Sequence, residues 1–562
     1  MNEQSIQKQY NQIVSLLEDK RLKEALVQLD AFLYNGNDWS LRNRLEQIQT
    51  SYQYMLQYMK LGMKDPERQK LYRQLLADTW EIADQTRIAL LDEISTHYYH
   101  SLRRNPNQLP KAYDLSGQQK ILEGFADEMA VSQLANYQGL DAILRRHEET
   151  HQVMFLTTWS NSSWTLEEFA QAEDMLRSET LPTNDLCLFV SAVTLSLMEC
   201  FDERKVNWLL DGLRHTNPQI NQRALVGLVI TLHLYPSRIA LYPELEARIS
   251  LFREDPNFSK QVNRIYIQLL RSQETEKIDR KMREEIIPEM MKNPKLNLEG
   301  LDEDAEDHNP EWEEWIDRSG ITDKLRELGE LQMSGADVYM STFSQLKQFP
   351  FFRKISHWFY PFDPQYQDIA KLSLGNDEQK ISLLNILMNS DVFCNSDKYS
   401  FCFTMLQMPE SQRNLMQQQL NGQHEASEEL KERLKEMSQS KARAEFVSRQ
   451  YIHDLYRFFK LWSRRHEIHD IFEDTLDLWN KETLSQALLH KDYINKLADY
   501  LFTHDDLTEA GILYDKSIEL YNRKNAELWQ KAGFIYQKIG SYKKAIDYYL
   551  QSDLLIPDNA WN

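Results

Sequence analysis

The sequence predicts an all-α protein built from repeated pairs of antiparallel helices. Three observations carry this expectation. Gly and Pro number 16 each in 562 residues, against roughly 7% and 5% in average usage. Turn-rich β folds and Pro/Gly-rich disordered chains are thereby excluded. Leu, Gln, Glu, Lys, Met and Ala dominate instead, and these residues tolerate helix interiors well. Apolar residues also recur three and four positions apart over long stretches, which is the period of an amphipathic helix. At about 150 residues per domain, the length predicts three or four domains.

Residues 1–104 read as an N-terminal helical region. Ile13, Leu16 and Leu17 form one stripe, and Glu18-Asp19-Lys20-Arg21 forms a turn. Leu22, Ala25, Leu26, Leu29 and Leu33 form a second stripe, stopped by Asn35-Gly36-Asn37-Asp38. A helix is expected from about Trp39 to Leu61. Another is expected from Asp65-Pro66 toward His97, with Pro at its first position. A loop around Arg104–Pro110 separates this region from residues 111–295.

In that second region, Asp185–Cys200 reads as a continuous apolar helix. Helices with inward Val206, Leu209, Leu210 and Leu213, then Ile220, Ala224, Leu228 and Leu232, follow it. Asp255-Pro256 opens another, whose partner contains Ile286–Met291. The units start at Asp185, Pro218 and Pro256, a spacing of 33 and then 38 residues. A single pair of this size cannot bury its apolar face alone, so repeated pairs stack into a solenoid. Asn217-Pro218 followed by Arg223-Ala224, with Ile287-Pro288 later, resembles HEAT-type repeats.

Residues 296–440 read as an acidic linker plus a helical region. Asn297–Asp317 holds ten acids and no Lys or Arg, the composition of a solvated linker. Pro310-Glu311-Trp312 restarts a helix. The aromatic-dense stretch Phe343–Phe362 is expected to pack one helical block onto another. Gln417–Lys441 reads as an exposed helix or connector.

Residues 441–562 form a C-terminal helical region, and its last part carries a fingerprint. Trp529, Ala532, Gly533, Tyr536, Ala545, Tyr549, Ser552 and Pro557 stand at the eight diagnostic spacings of a tetratricopeptide repeat. The segment 526–559 resembles that family closely. Small residues let its two helices approach, aromatics fill the space around them, and Pro557 starts the next turn. Residues 491–522 resemble a degenerate copy through Leu497, Ala498, Leu501, Ala510, Tyr514 and Ser517, with Ile494 at the aromatic position. The pair around Ala25 resembles a weaker third copy. A further repeat would begin at Ala560, so the chain is expected to continue past Asn562 or to be covered there by a partner. The resemblance implies a concave face that binds peptide segments of other proteins. Its groove-facing positions are Asn495, Gln530, Phe534 and Lys538. Gln530 and Phe534 replace the Lys and Asn that grip a C-terminal carboxylate in the family, so chaperone tails are not the expected ligand.

Net charge is −21, from 65 basic and 86 acidic residues. This is a poor footprint for nucleic acid or an anionic membrane. The four cysteines, Cys187, Cys200, Cys394 and Cys402, form no C-x-x-C pair and no disulfide framework is expected. The start lacks a signal-peptide pattern. The longest apolar run, Leu186–Met198, is too short to span a bilayer. A cytoplasmic protein is the expectation.

Three constellations could carry chemistry. His147-Glu148-Glu149-Thr150-His151 matches H-E-x-x-H, which on a helix aims two imidazoles at zinc beside a water-activating Glu. Glu149 departs from the uncharged residues usual there, and a third ligand would come from Glu167, Glu168 or Glu173. Leu140, Leu144, His147, His151 and Phe155 share one face, which equally fits two histidines at a helix–helix contact. His466-Glu467-Ile468-His469-Asp470 reads as a solvated face. Asp302, Asp304, Glu306 and Glu313 have calcium-loop spacing, but Asp307 replaces the required Gly and an acidic linker is the reading. Nucleotide-binding glycine loops are absent from the sequence.

The expected function is a non-enzymatic protein–protein interaction scaffold with no cofactor and no metal. A zinc-dependent hydrolase using His147, Glu148 and His151 is the alternative.

Overall fold

A computed structural model describes residues 2–36, 38–105, 114–135, 139–281, 283–284, 337, 340–369, 393–407 and 440–557. Among these every regular element is helical, as the composition and periodicity predict. The acidic run 297–317, the partner helix at 286–291 and most of 417–441 lie outside the described residues. Contacts divide the chain into two compact units, residues 1–245 with 271–474 and residues 246–270 with 475–562.

The first unit opens on the expected helices. Glu3–Glu18 and Leu22–Leu33 pair with each other, and Trp39–Lys60 and Arg68–Ile94 complete the group. Asn2 and Asp38 cap two of them, their side chains accepting backbone N–H groups of Ser5, Ser40 and Leu41. Such caps satisfy donors that a helix start otherwise leaves free. Ile13, Leu17, Leu22, Leu29, Leu45 and Trp80 share one buried cluster. The helix expected at Asp65-Pro66 begins at Arg68 instead.

The centre of this unit is the helix Thr183–Glu199, in which residues 185–197 are all buried. It lies against Leu140–Ser160 on one side and Pro218–Leu234 on another. Ser440–Leu461 packs in turn on Pro218–Leu234. A helix that is apolar all round is a core helix. The successive helices Glu203–Gly212 and Pro218–Leu234 pack on each other. Cover from Ser440–Leu461, far along the chain, is additional to anything that spacing indicated.

The aromatic stretch becomes three short 3-10 turns, Gln345–Gln348, Pro350–Arg353 and Ile355–Trp358. Phe351, Phe352, Trp358, Phe359, Tyr360 and Phe362 are buried. The last turn touches Leu140–Ser160, Asn395–Gln407 and Ser440–Leu461, so the stretch does join helical blocks.

Three buried arginines tie the unit together. Arg223 donates to Ser191 Oγ and the Phe359 carbonyl and lies over the Tyr451 ring. Arg238 donates to Asp84, which also accepts from Tyr10. Arg457 grips both Asp337 and Asp397, and Lys347 Nζ sits 2.9 Å from Asp397. Arg238 and Arg457 are thus paired with buried carboxylates, and Arg223 is held by neutral acceptors and a ring face. All four cysteines are buried and free, and no described helix is long and apolar enough to cross a membrane.

In the second unit, helices run Glu482–Leu488, Ile494–Thr503, Leu507–Ser517, Ala526–Lys538 and Tyr542–Leu555. Successive members of the last four pack on each other. Tyr266, on the helix Pro256–Gln273, donates to the Leu476 carbonyl at 2.6 Å. Residues 246–270 therefore belong to this unit despite their distance in sequence.

Candidate functional site

Two places merit building from their residues. In the first unit, the helix Leu140–Ser160 carries His147 and His151 one turn apart, hence on one face. Asp185 stands in the first turn of Thr183–Glu199 and faces them. His147 Nε2 is 2.7 Å from Asp185 Oδ2, and His151 Nδ1 is 3.4 Å from Asp185 Oδ1. Tyr360 donates its hydroxyl to Asp185 Oδ1 at 3.2 Å. Phe125 stacks on His147 at a ring separation of 3.8 Å. His151 and Asp185 are fully buried, and neither ring nitrogen of His151 has a hydrogen bond.

The electrostatics follow from burial and pairing. Burial disfavours charge on His147, but the adjacent Asp185 carboxylate outweighs it and holds the imidazole pKa above its ordinary value. Burial likewise pushes Asp185 up, and His147 pulls it down further, to about 2. His151 has burial as its dominant influence and falls to about 4. Near neutral pH Asp185 is ionised and His151 neutral, and the Asp185 carboxylate favours the charged form of His147.

The two histidines do lie at a helix–helix contact. The acid beside them is Asp185, which corrects the expectation of Glu167, Glu168 or Glu173. Glu168 instead completes a capping box with Thr165, and Glu173 pairs with Arg177. Glu148 points elsewhere: its carboxylate accepts the backbone N–H of Gln367, and burial raises its pKa to about 7. Among the described residues, His147, His151 and Asp185 are the one group of His, Cys, Asp or Glu close enough to share a metal ion. Of the second histidine cluster, His469 bonds Asp474, while Glu467 accepts from the Tyr98 backbone.

The other place is the C-terminal set of helices. A Cβ on Gly533 would stand 3.1 Å from the Tyr549 ring, and Ser552 Oγ donates to the Ala526 carbonyl. Small residues here permit the close approach of Ala526–Lys538 and Tyr542–Leu555. Two carboxylates then bind three helices each. Asp499 accepts from Tyr514 and Lys531. Asp515 accepts from Tyr536, Lys544 and Tyr548.

No protein family, curated protein or solved structure matches the chain.

The four predicted contact residues occupy different situations. Asn495 accepts from Ser517 Oγ, which ties it to the neighbouring helix. Gln530 is half-buried. Phe534 is exposed, meets Phe502 of Ile494–Thr503 edge-on, and lies under the Lys538 ammonium. A feature that periodicity did not single out lies on Tyr542–Leu555. Tyr542, Ile546, Leu550 and Leu554 recur every four residues and are 66%, 58%, 56% and 75% exposed. That spacing was legible as an apolar stripe, but only the packing reveals that no described element covers it.

Proposed function

We propose that this chain is a non-enzymatic scaffold that binds another protein through its C-terminal helices. Residues 491–522 and 526–559 act as two tetratricopeptide-type repeats. The partner lays one amphipathic helix along Tyr542–Leu555. The exposed stripe of Tyr542, Ile546, Leu550 and Leu554 carries this reading. Side chains at a four-residue step form one helix ridge, and a partner helix presents matching anchors at i, i+3, i+4 and i+7. Isolated exposed hydrophobics are ordinary, whereas a continuous row marks an interaction surface. The Phe502–Phe534 pair supplies a second apolar contact, on the first helices of the repeats.

A hydrolase would need Glu148 beside a metal-bound water. That carboxylate is engaged by Gln367, so the hydrolase reading is not adopted.

The test is affinity capture from native extract with the full chain and with its Leu550→Lys/Leu554→Lys variant. Both positions are exposed, so the variant keeps its fold, checked by circular dichroism. A partner retained by the native chain and lost by the variant supports the reading. Identical partners on both refute it.

A further inference from the structure

We infer that His147, His151 and Asp185 form a zinc-binding site that fastens the helix Leu140–Ser160 to Thr183–Glu199. Two imidazoles and a carboxylate are a zinc donor set. Their ligand atoms lie within 4.8 Å of one another. Zinc bonds of about 2.0–2.2 Å in tetrahedral geometry place neighbouring ligand atoms about 3.3 Å apart. His151 Nδ1 stands 3.4 Å from Asp185 Oδ1, close to that value, and the 2.7 Å His147–Asp185 Oδ2 hydrogen bond is the contact a metal ion would replace.

The second observation is His151 itself. It is fully buried, Nε2 has no hydrogen-bond partner, and Nδ1 has only the long 3.4 Å contact to Asp185, which is not a hydrogen bond. Leaving a buried polar group unsatisfied is costly, because its desolvation is not repaid. A metal bond from Nδ1 removes half of that anomaly. Tyr360 Oη bonds Asp185 Oδ1, the kind of outer contact that orients a ligating carboxylate. Phe125 stacks on the His147 ring and fixes its plane. Asp185 and His147 are thus each held by a neighbour outside the trio.

The role is structural. His147 is 6% exposed and the other two ligands are fully buried, so a substrate has no approach over them. Glu148, the residue a hydrolase would use, faces Gln367. Three protein ligands leave the fourth position of a bound zinc to a water. Metal bound only by the folded state adds to stability by mass action.

The experiment measures zinc in the full chain after refolding with zinc and removal of excess by gel filtration. About one zinc per chain is expected, the stoichiometry of a single site. Asp185→Asn and His151→Leu should each retain less than about a tenth of that, as loss of one of three ligands implies. Circular dichroism verifies that the variants are folded. Cobalt(II) titration of the native chain is independent of any variant. Intense visible d–d bands of a four-coordinate site are expected, together with a melting temperature that rises with metal. Zinc absent from the native chain, or retained equally by both variants, overturns the inference. A cobalt spectrum no stronger than that of the aqueous ion does the same.

Discussion

Arg457 holds two carboxylates at once, and its removal takes the guanidinium from Asp337 and leaves Asp397 with Lys347 alone. Asp397 and Asp337 are pushed up by burial, and Arg457 outweighs this and keeps both below the usual carboxylate range. Lys347 assists at Asp397. A depressed folded pKa stabilises the protein above the unfolded pKa and is lost as pH falls below it. The unfolded value is about 3.9. The urea midpoint should therefore fall steeply as pH drops below about 4. Asp397→Asn should cost ~3–5 kcal/mol at neutral pH, the usual result of breaking a buried pair. It should also flatten that acid dependence, which urea melts across pH measure directly. None of this was legible in the sequence. The partners of Arg457 lie 60 and 120 residues upstream, and a buried charge looks like a solvated one until the fold is known. Asp185 escaped notice for the same reason. It marked the start of an apolar helix, and its partner His147 is 38 residues away.

Helices, by contrast, were legible because their cause is local. Ile13, Leu17, Leu22 and Leu29 fall inward at the periodicity that predicted them. Ends were less exact, since Pro66 precedes the helix Arg68–Ile94 rather than opening it. Helix–helix approach depends on residues that periodicity does not weigh. A Cβ on Gly227 would clash with Thr194 Oγ1 and stand 3.3 Å from Thr194 Cβ. Gly227 thus sets the distance between Pro218–Leu234 and Thr183–Glu199. Gly→Ala in a helix interior ordinarily gains about 1 kcal/mol. Here Gly227→Ala should destabilise by ~1–3 kcal/mol, the range for overpacking. Adding Thr194→Ala should recover much of the loss. Denaturant melts of the two single variants and the double variant check this coupling.

For the whole molecule, residues 246–270 complete the unit formed by 475–562. Removing the C-terminal helices by truncation would also strip cover from Tyr266 and its neighbours. Point substitutions therefore test the binding surface more cleanly than shortened chains. The proposed contact is apolar, although the chain carries a net charge of −21. At about 1 M salt the Debye length falls to about 3 Å. The affinity for the partner should stay largely unchanged there, because helix docking on an apolar stripe does not rest on long-range charge. Binding titrations at low and high salt test this.

The most direct measurement places a photo-reactive residue at position 550 of the full chain and irradiates it in native extract. The expected product is a covalent adduct with a different protein, its cross-linked peptide lying in an amphipathic helix. No adduct, or an adduct only with another copy of this chain, would contradict the scaffold proposed here.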